Sequence, residues 1–430
     1  MTLQQENPSQ CRAQYPDTIL TALMLQLSQI PGLGTRRASI LLSFLESTDI
    51  IETLFSLSTS QLSQILAKTR IDANGTMVQT LSEGIQRLQQ YLGKNGTDYQ
   101  RWAEEVLAPY HQASITIWTR FWTENNRIQS LSPALMEIYD PPNLLFIRGN
   151  TSVLSGAAYN QDAMIQKHLA VVGTRAMSAY GEQVTRHIIS EFGSGAPIAI
   201  VSGLAEGVDG VAHRTALETR LPTIAVFGCG IDIVFPKAHL GLAREIIEEG
   251  GACVSEYAIG VSGSKSTFPQ RNRIIAGLSD AVLVIEGDLK SGAMITAKLA
   301  LEEGRSVMTV PGNLFSPNMK GPLQLLKQGA VLVRDARDIL NEWQSSEHWS
   351  EVSKSSLNAE TPDFKNPDFE NPQQEKLYHL LSPGEPRNLD EISEELALSA
   401  LETSILVSEC ELEGWLKPLP GARVVRSALY

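Results

Sequence analysis

Two hydrophobic periods divide this chain. Residues 18–66 place Leu, Ile and Phe at helical spacing, which predicts apolar helices there. Ile30-Pro31-Gly32-Leu33-Gly34-Thr35-Arg36-Arg37-Ala38 interrupts them, and its two glycines suit a helix-hairpin-helix turn or a plain helix–helix connection. Over residues 67–130 the pattern weakens. Gly93-Lys94-Asn95-Gly96 reads as a loop, and Trp102, Trp118, Phe121 and Trp122 form an aromatic group expected to pack against the next domain. From Asn143 the period changes. Short continuous apolar runs follow at 143–149, 169–173, 198–203, 223–228, 281–286, 306–310 and 330–333. Such runs are expected of strands buried on both faces. Helical stretches separate them, for example 180–192 and 208–218. Strand–helix alternation predicts an α/β fold, a Rossmann-like, doubly wound and mostly parallel sheet.

Residues 343–371 are polar and hold Pro362 and Pro367, which reads as a linker. Beyond it, Leu377, Leu380 and Leu381 suggest one helix. Leu389-Asp390-Glu391-Ile392 starts a second, with Asp390 as a candidate cap, and 400–413 makes a third. Gly414-Trp415-Leu416-Lys417-Pro418 and Arg423-Val424-Val425-Arg426 then read as a β-wing, so this end is winged-helix-like. The expected domains are a helical N-terminal domain of helix-hairpin-helix or SAM-like type over 1–130, the Rossmann-like domain over 131–342, the linker over 343–371 and the winged helix over 372–430.

Composition limits the chemistry. The N-terminal Met1-Thr2-Leu3-Gln4-Gln5-Glu6 lacks the basic start and apolar stretch of a secretory signal, and no run of about 18 apolar residues predicts a membrane span. Cys11, Cys229, Cys253 and Cys410 are scattered without CxxC spacing, which fits a reduced, cytoplasmic setting. Without clustered His or Cys ligands, no metal site is expected. The net charge of −13 argues at first against a nucleic-acid partner. Its distribution weakens that argument. Residues 1–167 carry 12 basic and 14 acidic groups, residues 168–340 carry 16 and 17, and residues 341–430 carry 7 and 17. The acidity belongs to the last ninety residues, and the middle is free to hold a local basic patch.

Ligands of doubly wound sheets bind at the carboxyl ends of the strands. Here those ends carry small residues: Gly173-Thr174-Arg175, then Ser202-Gly203-Leu204-Ala205-Glu206-Gly207-Val208-Asp209, then Gly228-Cys229-Gly230, then Ser291-Gly292-Ala293-Met294-Ile295-Thr296. Small residues admit a ligand close to the backbone and helix N-termini favour anions, so a phosphate or nucleotide pocket is expected. Two nucleotide motifs fail. No GxGxxG follows the first strand, and Gly260-Val261-Ser262-Gly263-Ser264-Lys265-Ser266 has Ser264 where a P-loop needs glycine and opens no clear helix.

Lys265-Ser266-Thr267-Phe268-Pro269-Gln270-Arg271-Asn272-Arg273 places three cations and one aromatic within nine residues, with no acid among them. Cations for a backbone and an aromatic for a base suit single-stranded nucleic acid. Arg175 approaches from a neighbouring strand end. The plain alternative is a solvated loop, with Phe268 covering the core and Arg271 and Arg273 paired to acids such as Glu256.

These segments resemble the DNA-processing protein A family (DprA, also called Smf). The resemblance rests on Gly173-Thr174-Arg175, on the 202–209 turn with Ala212-His213, and on Phe268-Pro269-Gln270-Arg271-Asn272-Arg273-Ile274-Ile275-Ala276-Gly277-Leu278-Ser279. It continues through Glu286, Ser291-Gly292, Thr296-Ala297 and Val310-Pro311-Gly312-Asn313, covering residues 140–340. It implies a non-enzymatic, cofactor-free, dimeric binder of single-stranded DNA that protects DNA incoming in natural transformation and helps load a RecA-type recombinase. By position, Arg175 and Lys265 would be the pocket cations and Phe268 the stacking platform. Arg271 and Arg273 would follow the backbone or hold the loop, and Asn272 would orient it. Gly173, Ser202, Gly203, Ser291 and Gly292 would shape the pocket floor. Departures include Glu206, where the family often has a basic residue, and Ser132-Pro133 in place of a Tyr-Pro pair. The acidic winged helix reads as a protein-contact module. A nucleotide phosphoribohydrolase of the lysine-decarboxylase-like group is the alternative, but setting Thr296 on that group's motif puts Leu299 where its acid must stand. A nucleotide-sensing adaptor is the other alternative.

Overall fold

The computed structural model describes residues 17–29, 60–61, 64, 79, 82–86, 90, 98–119, 132–155, 158–160, 163–164, 167–193, 196–344, 369, 371–381, 386–413, 415–419 and 421–426. The expected hairpin turn at 30–38, the loop at 93–96, Phe121, Trp122 and most of the linker lie outside the described residues.

Alternating buried faces along short apolar strands produce one large sheet. Its strands are β1 (Thr116–Thr119), β2 (Leu144–Gly149), β5 (Lys167–Val172), β6 (Ile198–Ser202), β7 (Thr223–Gly230), β8 (Ala252–Tyr257), β9 (Ala281–Val284), β10 (Ser306–Thr309) and β11 (Val331–Leu332). A separate hairpin holds β3 (Ala158–Asn160) and β4 (Ala163–Met164). The sheet order is β1-β2-β8-β7-β6-β5-β9-β10-β11. The pairs from β8 to β11 are parallel, while β1–β2 and β2–β8 are antiparallel. Chain order runs outward from β5 to β8 and then outward again from β9 to β11. The topological switch point therefore lies between β5 and β9.

The central strands bury both faces, while the edge strands β1 and β11 are partly exposed. Leu169 and Val171 of β5 face α4 (Ala179–Glu191), α5 (Val208–Glu218) and α10 (Ala336–Gln344), while Ala170 and Val172 face α7 (Thr267–Leu278) and α8 (Gly292–Glu302). Two strands depart from the sequence expectation. β8 follows Gly250-Gly251 and was masked by that turn signal. β1 comes from the weakly patterned residues 67–130 of the domain expected to be helical, and it pairs with β2 from Thr116↔Ile147 to Thr119↔Leu144. Helices α1 (Asp17–Ser28) and α2 (Tyr99–Gln112) share a core with the sheet: Leu23, Trp102 and Leu107 cluster with Leu144, Phe146 and Phe227, and the Tyr110 and Phe146 rings stack at 5.3 Å.

His213 on α5 ties two strands together. One ring nitrogen lies 2.7 Å from the Thr223 hydroxyl, which in turn donates to the Ile200 carbonyl. Burial, with His239, Arg214 and Arg271 nearby, takes its pKa down to about 3, so the ring is neutral.

The C-terminal unit has its own core of Leu377, Ile392, Leu406, Cys410, Trp415 and Val424. Helices α11 (Pro372–Leu380), α12 (Leu389–Leu396) and α13 (Ala400–Leu412) precede the wing, β13 (Leu416–Leu419) and β14 (Arg423–Arg426), with β12 (Arg387–Asn388) completing a three-stranded sheet. The cap of α12 is Asn388, whose side chain accepts from the Asp390 amide; Asp390, expected to cap, sits in the first turn instead. The wing touches α4 through Lys417–Glu182 at 2.9 Å and through Gln183 Nε2, which donates to the Arg426 carbonyl.

Candidate functional site

The loops after β5, β6 and β9 meet at the switch point. The Thr174 amide donates to the Glu286 carbonyl at 2.8 Å, joining the turn after β5 to the end of β9. The Glu286 carboxylate, itself buried, accepts from the Ser178 amide (2.9 Å) and hydroxyl (2.5 Å) and so fixes the start of α4. After β6 the chain must pass close beneath the β5 turn. Gly207 allows this: its φ is +78°, and a Cβ there would collide with the Thr174 carbonyl oxygen. The buried Asp209 carboxylate accepts from the Gly203 and Ala205 amides at 3.1 and 3.4 Å, which sets the turn.

The result is a crevice of about 800 Å³ at the carboxyl edge. Gly173, Arg175, Lys265, Phe268, Arg271, Asn272, Ser291 and Gly292 all line it, together with Ala205, Phe235 and Thr296. Gly203 opens onto a smaller adjoining pocket beside Glu206. Ser202 is different. Its hydroxyl donates to the Val171 carbonyl at 2.7 Å and the residue is fully buried, so it braces β5 against β6 beneath the crevice.

The cationic segment is mostly not a loop. It straddles a junction: Lys265 and Ser266 end the loop, and Thr267 to Arg273 form the first turns of α7. The run from Gly260 to Ser266 does open a helix, contrary to expectation. It is still no phosphate cradle of P-loop type. The Ser264 amide donates to Thr267 Oγ1, and the Ser266 and Thr267 amides donate to Ser264 Oγ.

The junction sorts the three cations. Lys265 is exposed. Arg271 is 5% exposed and donates to the Gly203 carbonyl at 3.0 Å, to the Val226 carbonyl, and to Asn272 Oδ1 at 3.2 Å. Burial lowers its pKa to about 10, against the opposing charge of Asp209. Burial raises the pKa of Asp209, against the pull of Arg271 and of the two amides. Arg273 donates to both Glu256 oxygens at 2.7 and 2.8 Å and to Asp140 at 3.1 Å. Both arginines are thus committed within the chain, Arg271 to strand ends and Arg273 to acids on the far side of α7. Asn272 accepts from Arg271 and donates to the Gly292 carbonyl at 3.3 Å, linking α7 to the start of α8.

Phe268 lies over Gly228, where a Cβ would come within 2.5 Å of its ring. The Phe235 ring packs on it at 5.3 Å, and the Arg175 guanidinium stands 5.9 Å from its centroid, within cation–π range. Phe235, 51% exposed, escaped the sequence reading; the signal available was an aromatic-Pro pair just after the Gly228-Cys229-Gly230 strand end. At the opposite wall, Ser291 caps α8 without a side-chain hydrogen bond, and its buried hydroxyl has no partner. That helix start is open to an anion. Leu299, the position a phosphoribohydrolase would need as an acid, is a half-buried residue of α8. Among the described residues, no group of three His, Cys, Asp or Glu could hold a metal, and no helix is long and apolar enough to cross a membrane.

The family model described as DNA recombination-mediator protein A matches residues 71–344, well over half of the chain. The chain belongs to that family. A second model, the DprA winged helix domain, matches residues 361–422. Among relatives of this recombination-mediator family, protein Smf of Escherichia coli is 38% identical over 294 residues, 68% of this chain and 74% of that one. The DNA processing protein DprA of Streptococcus pneumoniae is 40% identical over 210 residues, 49% of this chain and 70% of that one. The X-ray structure of DprA from Streptococcus pneumoniae superposes with a TM-score of 0.57 and 29% identity, covering 76% of this chain and 98% of that one.

Proposed function

We propose that the switch-point crevice binds single-stranded DNA, and that this recombination mediator holds incoming strands there without transforming them. One observation carries the reading: an aromatic platform, Phe268, is flanked by two exposed cations, Arg175 and Lys265, in one crevice whose far wall is an open helix start. An unstacked base can lie on the ring while neighbouring phosphates meet the cations and the α8 amides. The relatives named as DNA processing proteins support the same reading. In this account Arg271, Asn272 and Arg273 position α7, and Gly173 and Gly292 leave room for the strand. Ser202 and Gly203 support the floor. The protein acts in the cytoplasm as a homodimer and passes its strand to a RecA-type recombinase; the acidic winged helix makes protein contacts.

Titration with a labelled single strand tests the crevice. Phe268→Ala weakens binding by about 1–3 kcal/mol, and Arg175→Ala and Lys265→Ala each weaken it at low salt. Unchanged affinity in all three variants would place the DNA elsewhere.

A further inference from the structure

The next strand-end loop along the carboxyl edge, residues 310–319 after β10, carries the most exposed aromatic among the described residues. Phe315 is 92% exposed and Leu314 beside it 74%. The loop is nevertheless held in place. Asn313 accepts from the Phe315 amide at 2.9 Å, and the Tyr180 hydroxyl donates to the Pro311 carbonyl. Asn318 donates to the carbonyl of Ala176, a residue of the crevice wall, at 3.0 Å, and accepts from the Gly287 amide at 2.6 Å. Folding therefore keeps a large apolar ring in water on a loop fixed to the crevice rim. Exposing such a ring is unfavourable in the free protein and fits a face that something covers.

We propose that Phe315 is a second base-stacking platform, which extends the single-strand track one loop beyond the crevice. Charge favours a nucleic acid as the occupant. Lys290 on the preceding loop and Lys320 at the end of this one are exposed and form no ion pair with a described residue, and residues 310–320 contain no acid; Asp288 is the one exposed acid of the preceding loop. Spacing agrees. Phe268 lies over β7, and β10 is four strands away along β7-β6-β5-β9-β10. At about 4.8 Å per strand this is about 19 Å, or roughly six nucleotides at stacked spacing. A strand of about four nucleotides is shorter than this spacing, and one of about fifteen exceeds it.

This inference rests on the crevice reading, and oligonucleotide length separates the two. Affinities are measured for oligothymidylates of about four and about fifteen nucleotides with the full-length protein and its Phe268→Ala, Phe315→Ala and Phe315→Tyr variants. The expected result is that Phe268→Ala weakens both. Phe315→Ala weakens only the longer, by about 5- to 150-fold, and Phe315→Tyr restores it. If Phe268→Ala weakens both and Phe315→Ala weakens neither, the second platform is overturned and the crevice stands; a protein-docking role for the loop gives that outcome. If Phe315→Ala weakens both equally, Phe315 is no separate platform. If Phe268→Ala weakens neither, crevice and extension fall together.

Discussion

Three cations within nine residues meet three different fates. Lys265 reaches solvent, Arg271 is buried against the Gly203 and Val226 carbonyls, and Arg273 is held by Glu256 and Asp140. The segment's chemistry was legible in the sequence, as was the option that an arginine pairs with Glu256. Which arginine did so was not, because the answer depends on helical phase: once Thr267 starts a helix, Arg271 and Arg273 point to different sides of it. Glu206 is exposed and lines the smaller pocket together with Arg175 and Phe268. Its carboxylate would repel the phosphates of a strand held in the proposed site. Glu206→Lys should tighten single-strand binding by about 1 kcal/mol at low salt, roughly fivefold. The gain should shrink as salt screens it. A titration at two ionic strengths that finds no gain at either would show that the strand passes clear of this rim.

At the scale of elements, the parallel strands announced themselves because each is a continuous apolar run. The start of α7 did not. Pro269 reads as loop punctuation, yet in a first helical turn its missing N–H removes no hydrogen bond. β1 gave too short a run beside unpatterned sequence, and its role is set by pairing with β2, a tertiary fact. The winged helix poses the sharper question of what α13 is for. In a winged helix of DNA-reading type, the recognition helix brings cations to the groove. Here α13 contains no Lys or Arg and carries Glu402, Glu409 and Glu411, while Leu401, Ile405 and Leu412 face solvent. The unit also has a core of its own. Deleting residues 372–430 should therefore leave single-strand affinity within about twofold, since a net-acidic module repels a phosphate backbone rather than holding it. A large loss of affinity in the truncated protein would give the wing a direct part in binding DNA.

For the whole molecule, a net charge of −13 is compatible with the proposed DNA site because the charge is segregated. The sheet domain is near neutral, its buried arginines are matched internally, and few cations remain free at the carboxyl edge. That arrangement has a quantitative consequence. A binder that covers duplex by charge alone needs many phosphate contacts and loses affinity steeply with salt. Here only Arg175 and Lys265 are exposed cations in the crevice, and the ring of Phe268 supplies a contact that a stacked duplex cannot accept. For a short single strand, the logarithm of affinity should fall against the logarithm of salt with a slope of about −1.4, the value for two phosphates. A longer strand that also reaches Lys290 and Lys320 should steepen this towards about −2.8. Duplex of equal length should compete poorly at every salt concentration. A much steeper slope, or duplex competing as well as single strand, would mean that a broad cationic face outside the crevice does the binding, which the charge segregation of this chain opposes.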